Sequence, residues 1–463
     1  MIFDRSDRAI VSAAQPIRGA GNDYDGLMDL IGNARFVLLG EATHGTHQFY
    51  AERARITQRL IAEHGFRALA VEADWPDAGR VDRFVRGEAG ETGETGEAGE
   101  TGEGGDSTAA QALAGFERFP AWMWRNTDVV QLLDWLRAHN AALPEAQRVG
   151  FYGLDLYSLF RSIAEVLHYL DGVDPDAARD ARARYACFDH YHGDSQAYGY
   201  AANFGLSDSC HESVVAQLEQ MQQQAAQYTA ASGPSASNAF FYAQQNARLV
   251  MHAEAYYRAM FHGRVASWNL RDRYMADTLD ALAAHLAAHP PAPLAGPPRI
   301  VVWAHNCHLG DARATESQRL GEWNVGQLTR ERHGAEARLI GFSTYQGWVT
   351  AASRWDGPAE RKRVLPALPG SYDAMLHRAL PRDYLLPLTP GSAAAKALEE
   401  RKLERAIGVL YLPATERQSH YFFASLARQF DAIIHCDTTD AVEPLEIQGR
   451  AGVEVPETFP EGI

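Results

Sequence analysis

The chain has 463 residues, more than one hydrophobic core usually organises, so a large α/β domain with a sizeable insertion or second lobe is expected. With 46% hydrophobic and 22% charged residues it reads as an ordinary globular chain, and no apolar run approaches the roughly 18–20 residues needed to cross a bilayer. A net charge of −16 with no basic stripe argues against nucleic acid or anionic membrane as partner. Asp4, Arg5, Asp7 and Arg8 break the first apolar residues, which is not the pattern of a signal peptide, and a cytoplasmic location is the expectation. Four cysteines (Cys187, Cys210, Cys307, Cys436) lie far apart without a CxxC pair; disulfides are unusual in a reducing cytoplasm, and a structural zinc site has no spacing to support it.

In chain order, RFVLLG (35–40) is a buried-strand run with Glu41 at its end. His47 to His64 has helical spacing, with Phe49, Ile56, Leu60 and Ile61 as its apolar face and Gly65 as its stop. FRALAVE (66–72) is the next strand, ending in Glu72, and a helix is expected to start after Pro76. Residues 87–106 hold an acidic Gly-Glu repeat, read as a self-repelling surface loop. An amphipathic helix over 121–140 and a strand over 148–156, reaching Asp155, complete a first half of the core at 1–160.

From 161 to 290 strands give way to helical patterns and aromatic joints, with long helical runs at 208–230 and 238–289, which predicts a helical lobe over one end of the sheet. PPAPLAGPP (290–298) reads as a stiff hinge into the second half of the core, 299–463. Strands are expected at 299–305, 337–344, 406–413 and 431–437. Strands alternating with helices predict an α/β fold with a mostly parallel, doubly wound sheet.

Open parallel sheets bind ligands outside the carboxyl ends of their strands, so Glu41, Glu72, Asp155 and His305 converge on one edge, with His44 and His308 three residues after Glu41 and His305. Any one of these residues could be a helix cap or half of an ion pair, and for Asp155 that reading weighs equally. Together, buried titratable groups in a cleft point to catalysis. A histidine held by carboxylates is a general base near neutral pH. His47, opening a helix, reads as a surface or capping residue. In GEATHGTHQF (40–49), Gly40 is expected to turn the chain and Gly45 to bring backbone close to a ligand. A serine nucleophile would call for GxSxG, and the nearest stretch, GFSTY (341–345), lacks the second glycine. Cys307 between two histidines reads first as a small buried cysteine. His44, Glu41, Glu72 and His305 also have the chemistry to hold a divalent metal, which leaves free and metal-bound water both open as nucleophiles.

The stretches LLGEATHGTHQFYAERARITQRLIAEHGFRALAVEADWPDAGRVDRFVRG (38–87), VGFYGLDLYS (149–158), VVWAHNCHLGD (301–311) and GVLYLPATERQSHYFFASLARQFDAIIHCDTT (408–439) resemble the erythromycin esterase-like family along essentially the whole chain. The resemblance implies hydrolysis of a macrolide lactone or related ester by activated water, with no cofactor required. It matches the general base to His44, its supporting acids to Glu41 and Glu72, further catalytic groups to Arg53 and His305, and the second histidine of that pair to His308, which with Asp155 is expected to bind substrate. TERQSHYF (415–422) departs from the family's resistance enzymes, so the catalytic cluster transfers better than the substrate does. Glu416, Arg417 and His420 are candidates to reach the substrate, with a salt-bridged turn as the equal alternative. Tyr191, Tyr198, Tyr200, Phe204, Trp122 and Trp124 are candidate pocket walls, though aromatics at such spacing are more often core. The expected partner is a small ester or lactone. The alternatives are a metal-dependent hydrolase of an unrelated ester or amide, and a non-catalytic small-molecule or metal-binding protein of the same fold.

Overall fold

Buried apolar runs become strands wherever a neighbour takes up their backbone groups. In the computed structural model, which describes residues 4–88, 105–230, 234–290 and 296–446, eleven strands form among the described residues. In chain order they are β1 (Gln15–Pro16), β2 (Phe36–Leu39), β3 (Ala68–Asp74), β4 (Gly150–Asp155), β5 (Ile300–Trp303), β6 (Ala337–Ala351), β7 (Glu360–Val364), β8 (Tyr384–Pro387), β9 (Lys402–Arg405), β10 (Tyr421–Ala424) and β11 (Ala432–Thr439). The large sheet runs β1-β8-β11-β6-β2-β5-β3-β4, with β7 paired to β6 off that path. Its middle is parallel, β11 on β6 and β2 between β6 and β5, while β8, β1 and β7 add antiparallel edges. Every residue of β2 and β5 is buried, as a parallel strand covered on both faces requires.

The chain divides into two compact units. Unit 1 takes residues 1–70, 83–150 and 299–463, and unit 2 takes 71–82 and 151–298. Thus β3 and β4 start in unit 1 and run on into unit 2, whose carboxyl strand ends carry Glu72, Asp74 and Asp155. The sequence alone placed the boundary at 160, after those strand ends.

The helix read from the 47–64 pattern spans His47–His64, buries Phe49, Tyr50, Ile56, Leu60 and Ile61, and stops at Gly65 in the left-handed region (φ +70°). Two other expectations need correction. Of the run 406–413, residues 406–411 are buried, but its backbone bonds are shared between two partners, Ile407 N–H donating to Ala42 and Tyr411 N–H to Ala352. No ladder accumulates, and the strand forms one step earlier as β9, paired with β10. The continuous helical reading of 238–289 also breaks, into Pro234–Ala259 and Arg264–Ala288, at Gly263 with φ +118°. The strand expected at 337–344 continues to Ala351, because β7 pairs with its second half. Cys187 and Cys210 are joined in a disulfide within unit 2, contrary to the expectation drawn from a reducing cytoplasm, while Cys307 and Cys436 are free thiols. Most of the acidic 87–106 repeat and of the proline hinge at 290–298 lie outside the described residues.

Glu404 on β9 is a buried carboxyl in unit 1, 3% exposed. Burial, reinforced by the neighbouring Asp373, raises it well above the usual carboxylate range. Such a group lends its full stability below the ordinary carboxyl pKa and loses it as pH rises toward the folded value, at up to about 1.4 kcal/mol per pH unit. Glu404→Gln is neutral at every pH. It is expected to match the parent near pH 4 in urea unfolding and to become progressively more stable than the parent toward pH 8. A variant equally or less stable at pH 8 would contradict the buried, protonated acid.

Candidate active site

The centre of the unit 1 site is Glu41, carried just past the end of β2 and only 1% exposed. Its carboxylate has two partners. Arg53, two turns into the following helix, donates from Nη2 to Oε2 at 2.5 Å. His44 Nδ1 lies 2.9 Å from Oε1. An ionised carboxylate can only accept, so the His44 proton belongs on Nδ1 and Nε2 is left as the proton acceptor. A buried charge this far from water needs such a partner, and Arg53 supplies it. Arg53 is itself 1% exposed and sandwiched, its guanidinium 4.6 Å from the Tyr50 ring centre and 4.5 Å from that of Trp303.

His305, at the end of β5, caps the short helix Asn306–Leu309. Its Nδ1 accepts the Cys307 backbone N–H at 3.3 Å and lies 2.9 Å from Cys307 Sγ. With Nδ1 occupied as an acceptor, Nε2 carries the proton and is the donor. The two imidazoles face each other, ring centres 4.8 Å apart at 48°. Local backbone ties this pair together: Asn306 N–H donates to the Glu41 carbonyl at 2.8 Å. The two adjacent buried rings thus present one acceptor nitrogen and one donor nitrogen. His308 is buried, 1% exposed, in the same short helix.

Both glycines of the 40–49 loop are required by close approach, though not to a ligand. A Cβ on Gly40 would meet Asn306 Oδ1 at 2.1 Å, and one on Gly45 would meet the Thr350 carbonyl oxygen at 1.8 Å. Gly45 therefore lets the loop lie against β6, where its carbonyl accepts from Thr350 N–H at 2.9 Å. His47 is half-exposed and paired with Asp128 at 2.8 Å, and that hydrogen bond raises its proton affinity. This fits its reading as a surface residue.

In unit 2 the ends of β3 and β4 build a second charged cluster. Arg271 donates from Nη2 to Glu72 Oε1 at 2.8 Å and reaches Asp155 with two nitrogens, Nε at 3.0 Å and Nη2 at 2.6 Å. Its guanidinium lies 4.9 Å from the Tyr157 ring centre, and Asp74 beside it accepts the Tyr157 backbone N–H at 3.0 Å. Burial works against the Arg271 charge, but Asp155, Tyr157 and Glu72 more than restore it, so its proton is held more tightly than in a free arginine. Asp155 also accepts the Leu156 backbone N–H at 2.9 Å, but the next helix starts at Leu159 with Ser158 at its N-cap, so the ion-pair reading applies to it and the capping reading does not. Sequence reasoning missed Arg271. The signal was there: Trp268, Arg271, Met275, Leu279 and Leu282 follow one buried helical stripe, and a charge on such a stripe needs an acid.

The 415–422 segment is built differently from the expectation of a substrate loop. Glu416 accepts from the Tyr411 hydroxyl at 3.0 Å and pairs with Arg405 at 3.2 Å, and burial raises its pKa. His420 Nε2 accepts the Leu412 N–H at 2.9 Å, and burial lowers the ring's pKa to about 4. Arg417 lies over the Phe423 ring at 5.7 Å. These partners anchor the 405–412 run. Of the aromatics, Tyr198, Trp122 and Trp124 are buried core, while Tyr200 and Phe204 are 50% and 56% exposed. Among the described residues, no three His, Cys, Asp or Glu side chains are grouped as a metal ion would need. No described helix is long and apolar enough to cross a membrane.

The family model for erythromycin esterase matches residues 61–439. A protein named "Putative hydrolase YbfO" from Bacillus subtilis (strain 168) is 22% identical over 392 residues, which cover 81% of this chain and 79% of that one. Among solved structures, a succinoglycan biosynthesis protein superposes with TM-score 0.74 at 20% identity, covering 95% of this chain and 97% of the other. A Bacillus cereus protein gives TM-score 0.74 at 19% identity, covering 96% and 100%. An erythromycin esterase mutant in its open conformation gives 0.63 at 18%, covering 92% and 96%. At these identities the solved structures speak for the fold.

Proposed function

The chain belongs to the erythromycin esterase family of hydrolases, and from that premise we propose that it hydrolyses a macrolide lactone or related carboxylic ester with water activated by His44. The single observation that carries this reading is the Glu41-held imidazole, its Nε2 free of the carboxylate bond, facing the His305 ring at 4.8 Å. His44 Nε2 takes a proton from water as the oxygen attacks the ester carbonyl. The resulting imidazolium is balanced by Glu41, which Arg53 holds in place. His305 Nε2–H donates a hydrogen bond to the developing oxyanion, and the His44 imidazolium then delivers the proton taken from water to the departing alkoxide, which leaves both rings in their neutral forms. The family resemblance gives Glu72 a part as well, which is tested by Glu72→Gln: an intact fold with lost turnover supports it, and an unfolded variant returns Glu72 to its ion pair with Arg271.

The test is mass spectrometry of a macrolide panel incubated with the enzyme, metal-stripped and metal-repleted, beside His44→Ala. A product heavier by one water, formed without metal and absent with His44→Ala, is the expected result. The same product only after metal repletion would make His44 and the glutamates candidate ligands, and the base assignment would fall. No product from any macrolide would sink the macrolide assignment, and a panel of other lactones and esters would then test the ester class.

A further inference from the structure

Unit 1 contains a second, largely buried hydrogen-bond network that plays no part in the mechanism above. Ser343 on β6 and His435 on β11 are register partners, so their side chains rise together from one face of the sheet, and Asp437 follows on that same face. Phe342, the residue before Ser343, points to the opposite face, against Phe49 of the helix that carries Arg53. Ser343 Oγ is 2.8 Å from His435 Nδ1. His435 Nε2 is 3.2 Å from Asp437 Oδ1, and that oxygen also lies 2.6 Å from His377 Nδ1.

The proton positions follow from the chemistry of the partners. Asp437 as a carboxylate can only accept, so His435 carries its proton on Nε2 and His377 on Nδ1. His435 Nδ1 is then bare, and the hydrogen between it and Ser343 comes from the serine hydroxyl. Burial would raise the Asp437 carboxyl, yet hydrogen bonds from His435 and His377 bring it below the usual range. Asp383 faces Asp437 from the β8 side, accepting its backbone N–H at 2.8 Å. Asp373 and Tyr384 flank His435 from the other packed elements. The network grades from inside to outside: His435 is fully buried, Ser343 6% exposed, and the side chains of Asp437 and His377 13% and 31% exposed. His377 is stacked on Tyr345, ring centres 3.6 Å apart. Leu39, the last residue of β2, pairs with Ile340. Ser343 therefore lies beyond that strand's carboxyl end, the level at which open parallel sheets bind ligands.

We propose that Ser343 is an activated hydroxyl that accepts a small acyl or phosphoryl group, with His435 as its base and Asp437 as the balancing charge. Ser343 Oγ forms a bond to the electrophilic carbon or phosphorus, and its proton passes to His435 Nδ1. The bond to the leaving group breaks with its electron pair, and His435 returns the proton to that group. Water attacking by the same route would release the acid and restore the serine. The narrow exposure of Ser343 restricts the class to small electrophiles.

The probe is diisopropyl fluorophosphate, with the full-length chain followed by intact mass and the site located by peptide mapping. Phosphorylation releases fluoride with the serine proton, and one adduct at Ser343 is expected, absent in Ser343→Ala. Labelling should slow by about 10²-fold or more in His435→Gln, the usual contribution of a general base, and by at least about tenfold in Asp437→Asn. Asp437 is the partly exposed member, so its variant carries the comparison if His435→Gln does not fold. His44→Ala, which ends ester turnover under the mechanism above, keeps the Ser343 adduct, so the two assignments fail separately. An unmodified Ser343 in the parent chain would overturn the proposal, as would equal labelling rates in the parent and a cooperatively melting Asp437→Asn.

Discussion

Glu41→Gln is expected to lower turnover of any ester the parent hydrolyses by about 10²–10⁴-fold and to lower stability by about 3 kcal/mol. The substitution keeps the shape of the side chain and removes its charge. Glu41 receives donors on both oxygens, Arg53 on one and His44 on the other. An amide has one oxygen, so whichever way it turns, its NH₂ group confronts one of the two donors. If it confronts His44, the ring must shift its proton to Nε2, and the base is lost. If it confronts Arg53, a buried guanidinium loses its carboxylate bond to Glu41 and the support of the residue at 41 weakens. Initial rates beside urea unfolding read the two effects separately. A variant with near-parental kcat and an unchanged unfolding midpoint would remove Glu41 from the centre of the site.

Arg271→Met is expected to destabilise the protein by about 3–5 kcal/mol at pH 8, the range for removing one partner of a buried ion pair. Methionine approximates the length and apolar stem of arginine, so packing is largely retained and the charge is the change. Glu72 and Asp155, 6% and 2% exposed, would then lose the Arg271 cation. Their remedy is to bind protons, so the deficit should shrink as pH falls toward 5. Urea unfolding of parent and variant from pH 5 to 8 measures this. A loss below about 1 kcal/mol that does not vary with pH would mean that the three-way ion cluster contributes little.

Particular residues show how much could be read in advance. The 47–64 helix was legible end to end, because a 3.6-residue apolar stripe and a stopping glycine are local properties. The parallel core was legible from its buried runs, and β2, β3, β4, β5 and β11 fall where those runs lie. The short strands β1 and β7 were missed, since their residues carry no buried apolar run, and β8 was missed although Tyr384, Leu385 and Leu386 are fully buried between β1 and β11. The 406–413 run failed in the opposite sense: apolar enough for a strand, it found two partial partners and no full one. GFSTY lacked a nucleophile motif, and its serine nevertheless met a histidine and an aspartate from residues 435 and 437.

What the sequence determined by itself is the set of local commitments: the class of fold, the strand-end positions of Glu41, Glu72, Asp155 and His305, and the family to which they belong. Only the tertiary structure decided partners. It gave Glu41 to Arg53 and His44, gave Glu72 and Asp155 to Arg271, spent Glu416 and His420 on anchoring their own loop, and joined Cys187 to Cys210. The reason is physical. Periodicity and turn chemistry act between residues a few positions apart, whereas a buried charge selects its counter-charge by distance in space. Residues 155 and 271, or 343 and 435, become neighbours only when the sheet and helices have packed.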